Sequence, residues 1–249
     1  MSVSLPKLSN KGLLDKFVPV LLVLTIILAG AVGALWQKVT VLEKGTKSAG
    51  SPTDTVGDTS GKLTADEASK LEKPSDKDHI RGSLNAEVFL IEYSDYQCSF
   101  CKTFDTTAQQ AVAEYGDKLA WVYRHFPLDT IHPWARPAAN AAECVSALGG
   151  NDAFWKFSDY VFANQETTLS EAGIKAAAIK AGVKAADYSS CYTAKKYENI
   201  VDADYQSGSN AGVNGTPGNY IMNKKGDVWL VPGAVPFESL KVTIEEALK

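Results

Sequence analysis

The sequence predicts an α/β domain with an inserted block of helices, behind a membrane-spanning helix and a linker. Two apolar runs, with a helical pattern between them, predict a β–α–β unit at the start of the domain. A long stretch of helical periodicity covers about residues 136–211, and a hairpin pattern and an amphipathic helix close the chain. The predicted order is therefore β–α–β, a helical block, and β–β–α.

The N-terminal region has the pattern of a membrane anchor. Residues 1–16 carry three lysines against one aspartate, and the run from Phe17 to Trp36 carries no charge. A run of that length can cross a hydrocarbon core of about 30 Å, and the preceding lysines hold residues 1–16 in the cytoplasm. A cleaved signal peptide is the alternative because Ala29-Gly30-Ala31 is a small-residue pattern, but the run exceeds a typical signal. We expect an uncleaved single-pass anchor at residues 17–36, with the rest of the chain on the periplasmic or outer side of the cell membrane.

The next segment, residues 37–81, has the composition of a flexible linker. It is largely polar and contains several glycines and prolines. Thr64-Ala65-Asp66-Glu67 matches a capping box, which would open one short helix before Pro74. The globular domain is predicted to span residues 82–249.

The composition bounds the class of protein and of partner. The chain has 249 residues of which 45% are hydrophobic, enough for one globular domain with additional segments. Its net charge is −4, and no basic stripe is interleaved with aromatic residues, which argues against a nucleic-acid partner.

Each element of the domain has a local signal. The apolar run Val88–Tyr93 predicts a buried strand, and apolar residues at helical spacing follow Cys98. The remaining predicted elements are a strand at 119–126, helices at 138–148, 153–164, 170–181, 185–194 and 197–210, strands at 220–223 and 228–231, and a helix at 237–248.

The most informative motif is Cys98-Ser99-Phe100-Cys101, at the junction of the first strand and first helix. Residues i and i+3 of a helix are neighbours, so the two sulfurs can form or break a disulfide with little backbone movement. A helix N-terminus stabilises an anion, and only about 3% of an ordinary thiol is ionised at neutral pH. Cys98 is therefore the predicted nucleophile and Cys101 the buried resolving thiol. Half of a zinc site or a structural bridge is the alternative.

The chain resembles the DsbA-like branch of the thioredoxin superfamily of thiol:disulfide oxidoreductases. The resemblance covers about residues 82–249 and rests on four stretches: 93–101 (Tyr-Ser-Asp-Tyr-Gln-Cys-Ser-Phe-Cys), 123–128 (Tyr-Arg-His-Phe-Pro-Leu), 132–135 (His-Pro-Trp-Ala) and 212–217 (Gly-Val-Asn-Gly-Thr-Pro). It implies a thioredoxin unit with a helical domain inserted between its second and third strands.

The resemblance also implies roles for three further residues. Pro217 matches the cis-proline that family members place opposite the redox pair, which leaves the Thr216 backbone free to pair with an extended substrate. Glu92 matches a buried acid beneath the resolving cysteine, where it could exchange a proton with Cys101. A Glu92 side chain that points to solvent, and an ordinary trans proline, remain the alternatives.

One departure from the family bears on redox strength. Related sequences often have proline where Ser99 stands, or histidine where Phe100 stands, and this chain has neither. A histidine there could stabilise the thiolate, and each pKa unit of stabilisation is worth up to about 30 mV. We therefore expect a milder oxidant than the strongest members of the family.

The other two cysteines, Cys144 and Cys191, lie singly in the helical block. With an even cysteine count and a domain outside the cytoplasm, a structural disulfide between them is expected, worth about 4 kcal/mol in the chain-entropy model. A four-cysteine zinc site is the rival, but zinc ligands usually occur in two closely spaced pairs and only one such pair is present.

The sequence thus predicts a protein-disulfide oxidoreductase that introduces disulfides into exported proteins. Its expected partners are exported substrates with free cysteines and a quinone-linked membrane protein that reoxidises it, and we expect it to need no metal and no cofactor. Two alternatives remain: a disulfide isomerase or reductase using the same pair, and a membrane-tethered binding module with an inert disulfide.

Overall fold

The structure, a computed structural model, describes residues 61–249. The predicted cytoplasmic N-terminus, the predicted anchor at 17–36 and residues 37–60 of the predicted linker lie outside the described residues. Within residues 61–249, no helix combines the length and the apolar character that crossing a membrane requires.

From residue 88 onward the described chain follows the predicted order, and a short helix and a short strand precede it. Its elements are α1 (Ala65–Ala68), β1 (His79–Arg81), β2 (Val88–Ser94), α2 (Ser99–Tyr115), β3 (Leu119–His125), α3 (Ala135–Ala163), α4 (Gln165–Thr168), α5 (Glu171–Lys180), α6 (Ala185–Thr193), α7 (Glu198–Asn210), β4 (Gly218–Asn223), β5 (Val228–Val231) and α8 (Phe237–Ala247). A short 3-10 turn, Gly116–Lys118, joins α2 to β3.

The strands form one five-stranded sheet in the order β1-β3-β2-β4-β5. The β2 and β3 strands are parallel, as expected of two strands joined by a helix, and the other neighbouring pairs are antiparallel. The helical block lies between β3 and β4 in the chain, as predicted.

The sheet is buried on both faces, and side chains alternate between two apolar clusters. Val88 and Leu90 of β2 belong to the cluster that includes α2, α3 and α8, whereas Phe89, Ile91 and Tyr93 belong to the cluster on the opposite face. Every residue of β2 is buried, which explains its nearly continuous apolar run.

The two helices predicted at 138–148 and 153–164 are continuous in α3, with a kink at Gly150. Gly150 has φ 77° and ψ −176°, a conformation that residues with a Cβ rarely adopt. Gly150, which lies between the two predicted helices, therefore bends the chain without a connecting loop.

The predicted linker boundary at residue 81 is wrong. The β1 strand pairs with β3 in the sheet, and Leu71 is buried in the core. The predicted capping box is confirmed, because Thr64 caps α1 reciprocally with Glu67. A three-residue strand next to a glycine is too short to show alternation, so composition alone assigned this segment to the linker.

Candidate active site

The redox motif follows the end of β2 and lies at the start of α2. Cys98 occupies the N-cap position of α2, and Cys101 lies in the first helical turn. The Asp95 carboxylate accepts hydrogen bonds from the backbone N–H groups of Gln97 (2.7 Å) and Leu128 (2.8 Å), and the Cys98 N–H donates to the Asp95 carbonyl (3.1 Å). The turn that presents Cys98 is thus fixed by one buried carboxylate.

The helical block holds the same turn from the other side. The Gln165 side-chain amide donates to the carbonyls of Tyr96 (2.8 Å) and Cys98 (3.0 Å), and the Trp134 N–H donates to the Gln97 side chain (2.7 Å). Sequence reasoning missed Gln165, which lies 67 residues beyond Cys98 in the chain. No local pattern marks it.

The Cys98 sulfur lies against the predicted substrate-binding turn. Its Sγ lies 3.3 Å from the Thr216 carbonyl oxygen, and the Thr216–Pro217 peptide bond is cis, as predicted. Cys98 and Cys101 are not joined in a disulfide; Cys98 is 5% exposed and Cys101 is completely buried. The structure therefore brings together Cys98, Cys101, Thr216 and Pro217.

The surroundings of Cys98 favour its thiolate. A hydrogen bond with the Cys101 thiol is the largest cause that lowers the pKa of Cys98, to about 5 from an ordinary value of 9.0. Partial burial opposes this effect, and the Thr216 side chain and the backbone N–H groups of Phe100 and Cys101 reinforce it. At neutral pH, Cys98 is an ionised nucleophile.

Cys101 has the opposite character. Burial is the largest cause that raises its pKa well above the ordinary value, and donation of its hydrogen to Cys98 adds to the effect. The negative charge of Glu92 raises it further. The Cys101 thiol therefore needs a nearby group to accept its proton when it ionises. The Cys101 thiolate needs a nearby group to donate a proton when it is released from the disulfide.

Glu92 lies in that neighbourhood. It is completely buried on the α2 side of the sheet, and its Oε2 accepts a hydrogen bond from the Trp121 indole at 3.0 Å. Its Oε1 has no hydrogen-bond partner among the described residues. Burial is the main cause that raises the pKa of Glu92 to about 8. The alternative interpretation, a Glu92 that points to solvent, is wrong.

A second buried carboxyl, Glu143, has two histidine partners. The Nε2 atoms of His79 and His125 lie 2.5 and 2.9 Å from its Oε1. Burial alone would raise its pKa, but the hydrogen bonds with His125 and His79 lower the pKa of Glu143 to about 2. His125 is therefore a packed strand residue that contacts the Glu143 carboxylate.

The same cluster is the group of potential metal ligands found within residues 61–249. Its ligand atoms lie within 4.8 Å of one another. In a tetrahedral zinc site with bonds of about 2.0–2.2 Å, neighbouring ligand atoms are about 3.3 Å apart. The two nitrogen–oxygen distances are shorter than that and match hydrogen bonds, so these residues form a hydrogen-bonded cluster.

The remaining histidine and cysteines have structural partners. His132 Nδ1 lies 2.8 Å from the Asp95 carboxylate, so this loop histidine braces the active-site turn. Cys144 of α3 and Cys191 of α6 form a disulfide with a Cα–Cα distance of 5.9 Å, as predicted. That bond rules out the rival four-cysteine zinc site in this state of the protein.

Comparison with known proteins agrees with this architecture. The sequence matches the family model described as thioredoxin over residues 74–245. Among solved structures, oxidised BdbD from Bacillus subtilis superposes with a TM-score of 0.61 at 22% identity, covering 72% of this chain and 97% of that one. The thiol-disulfide exchange protein α-DsbA2 from Wolbachia pipientis superposes with a TM-score of 0.56 at 20% identity, covering 67% and 85%. The predicted DsbA-like fold with a helical insertion is confirmed.

A further relative is an antiporter that is much longer than this chain. The Na(+)/H(+) antiporter NhaA 1 of Mycolicibacterium vanbaalenii is 40% identical over 99 residues, which are 39% of this chain and 16% of that protein. The similarity thus covers about one sixth of the relative's length.

Proposed function

The chain belongs to the thioredoxin family, and on that premise we propose that it catalyses thiol–disulfide exchange through Cys98 and Cys101. The observation that carries the proposal is the Cys98 sulfur, with its pKa lowered to about 5 and its Sγ 3.3 Å from the Thr216 carbonyl. A thiolate of low pKa is both a nucleophile and a good leaving group at neutral pH.

The reaction starts from the oxidised pair. A substrate thiolate attacks Sγ of Cys98, a mixed disulfide forms, and the Cys98–Cys101 bond breaks. Cys101 leaves as a thiolate and takes a proton from Glu92, whose pKa of about 8 keeps it mostly protonated at neutral pH. A second substrate thiolate then attacks the substrate sulfur, and Cys98 leaves as a stabilised thiolate. Two electrons pass from the substrate dithiol to the enzyme pair.

The substrate surface follows from the same turn. The Thr216 backbone lies beside Cys98 and is proposed to pair with an extended segment of substrate, with Pro217 at its end. Phe100, 66% exposed between the two cysteines, adds an apolar contact suited to unfolded chains. Exported proteins with free cysteines are the proposed substrates.

We assign the net direction as oxidation outside the cytoplasm. The Cys144–Cys191 disulfide supports this location because structural disulfides persist in oxidising compartments. The proposed anchor at residues 17–36 would hold the domain at the membrane. Reoxidation requires an electron acceptor, proposed to be a quinone-linked membrane oxidoreductase.

Oxidative folding of a reduced, unfolded protein substrate tests the activity. Cys98→Ser should lower the rate at least about 100-fold, because no other described thiol has a low pKa. Thr106→Ala, on the exposed face of the same helix, is the matched control and should retain the rate. Equal activity of Cys98→Ser and the control would leave an inert binding module as the better assignment.

Equilibration with glutathione tests the direction. The Cys98 pKa of about 5 lies between those of thioredoxin, about 7, and DsbA, about 3.5. We therefore expect a potential between about −270 and −120 mV, which makes the protein a milder oxidant than DsbA. A value at or below that of thioredoxin would favour a reductase, and a value at that of DsbA would contradict the milder character.

A further inference from the structure

The helical block reaches the redox motif through a buried side chain, Gln165, the first residue of α4. Its side-chain nitrogen donates to the Tyr96 carbonyl at 2.8 Å and to the Cys98 carbonyl at 3.0 Å. A side-chain amide has two hydrogens, so both donors are used. Gln165 is 7% exposed, and hydrogen bonds shielded from water in this way are stronger than exposed ones. One amide therefore joins two carbonyls of the active-site turn.

The backbone that carries Gln165 is itself held at the end of α3. Asn164 ends α3, and its backbone N–H and its side-chain amide both donate to the Tyr160 carbonyl, at 3.1 and 2.9 Å. The Asn164 carbonyl accepts from the buried Thr168 hydroxyl at 2.9 Å. Gln165 thus extends from a turn that is hydrogen-bonded on both sides.

The Cys98 carbonyl is the group through which Gln165 can act on the sulfur. Cys98 has φ −73° and ψ 123°, and its carbonyl also accepts the first helical hydrogen bond, from the Lys102 N–H at 3.2 Å. Because the peptide unit is planar, the direction of this carbonyl fixes the direction of the Ser99 N–H and of the helical turn that follows. The N–H groups of Phe100 and Cys101, which lower the pKa of Cys98, belong to that turn. Rotation of the carbonyl would move them relative to the sulfur.

The two sides of Cys98 are held by different parts of the molecule. Its N–H donates to the Asp95 carbonyl at 3.1 Å, so the segment after β2 fixes the residue from the N-terminal side. Its carbonyl is fixed from the C-terminal side by α2 and by Gln165, which lies 67 residues further along the chain. The contact from Gln165 is therefore not duplicated by the Asp95 bonds.

We propose that Gln165 is a positioning residue for the exchange reaction, which holds the Cys98 carbonyl so that the first turn of α2 directs its N–H groups at the Cys98 sulfur. This inference rests on the proposed function. Gln165 is neutral and neither gives nor takes a proton, so it adds no step to the reaction. It acts by stabilising the form in which Cys98 attacks and leaves, and it makes the helical block part of the redox site.

Titration of Cys98 in the reduced full chain, by the pH dependence of its alkylation with iodoacetamide, tests this role. Gln165→Met keeps the length of the side chain and removes both donors, and it should raise the pH midpoint by about one unit. The equilibrium constant for reduction by glutathione should fall by up to about 10-fold, which corresponds to about 30 mV. If Gln165 only stabilised the fold, Tm would fall and neither value would change.

The control is Gln110→Met, which makes the same substitution at an exposed position of α2 and should leave both values unchanged. Gln165→Leu is a second variant without donors, should Gln165→Met fold poorly. Unchanged values in a folded variant without donors, or an equal shift in the control, would overturn the inference. Because the alkylation titration needs no turnover, it still tests the inference when the wild-type protein fails to exchange disulfides, a result that would overturn only the proposed function.

Discussion

Two buried glutamates in this domain, Glu92 and Glu143, have opposite electrostatic character. Both lie on the same side of the sheet and both are nearly inaccessible to solvent. Glu92 accepts a hydrogen bond from the neutral Trp121 indole, and burial raises its pKa to about 8. Glu143 is held by two imidazoles, and its pKa is lowered to about 2. Burial alone does not determine the charge of a carboxyl; its partners do.

The difference assigns different tasks to the two residues. Glu143 of α3 joins His79 of β1 and His125 of β3, so its charge ties the helical block to the sheet. Glu92 lacks such partners and titrates near neutral pH, the range in which a group can both take and give a proton. Glu92, the carboxyl with the raised pKa, is the one near the redox pair. Strongly shifted pKa values are expected at functional sites.

The largest expected effect on stability comes from removing the charge of Glu143, which contacts His79 and His125. Glu143→Gln should lower the free energy of unfolding by about 3–5 kcal/mol at pH 7, because it removes the charge that both histidines contact. The folded-state pKa is depressed, so the wild-type contribution is complete above about pH 4.5 and is lost as pH falls toward 2. Urea denaturation across this range measures it.

The control for this substitution is Glu166→Gln, an exposed glutamate in α4. It removes the same charge and should change the unfolding free energy by less than about 0.5 kcal/mol. A loss of similar size in both variants would show that the histidine partners do not stabilise Glu143.

Substitution of Glu92, which has no histidine partner, is expected to change the free energy of unfolding in the opposite direction. The folded-state pKa of Glu92 is raised, so its ionisation destabilises the fold progressively as pH rises from about 4.5 to 8. Glu92→Gln should therefore raise the free energy of unfolding by up to about 3 kcal/mol at pH 8, with little gain near pH 4. The same variant should slow the Cys101-dependent step by about 10-fold to 100-fold. A destabilised variant at pH 8 would contradict the comparison.

The smallest effect tests the hydrogen bond that Glu92 accepts from the Trp121 indole. Trp121→Phe removes the indole donor from the carboxylate and should raise the pKa of Glu92 by about 0.5–1 unit. Trp155→Phe is the control, because it removes the same side-chain volume as Trp121→Phe. The Trp155 indole nitrogen has no hydrogen-bond partner in the described part of the chain. NMR titration of Glu92 in both proteins separates the hydrogen bond from the change in packing.

The sequence predicted most elements because their signals are local. The ranges of α2, β3 and β5 follow apolar periodicity within a few residues, and the i, i+3 spacing identified Cys98 and Cys101. The β1 strand was missed because a three-residue edge strand gains its stability from pairing with β3. Alternation did not decide the orientation of Glu92, since β2 is buried on both faces.

The partners of the active-site turn came only from the tertiary structure. Gln165 binds the site through hydrogen bonds between elements, and the sequence offers no rule that pairs an amide in a helix with a distant carbonyl. The same holds for Glu143, which is 64 residues from His79 and 18 from His125. Such groups look like ordinary polar residues until the fold brings them together.

The sequence by itself determined where a strand turns into a helix and which two sulfurs lie within one turn, because these depend on side chains close together in the chain. The tertiary structure decided the difference in pKa between those sulfurs and the burial of Glu92. Those properties depend on burial and on partners that only the folded chain supplies.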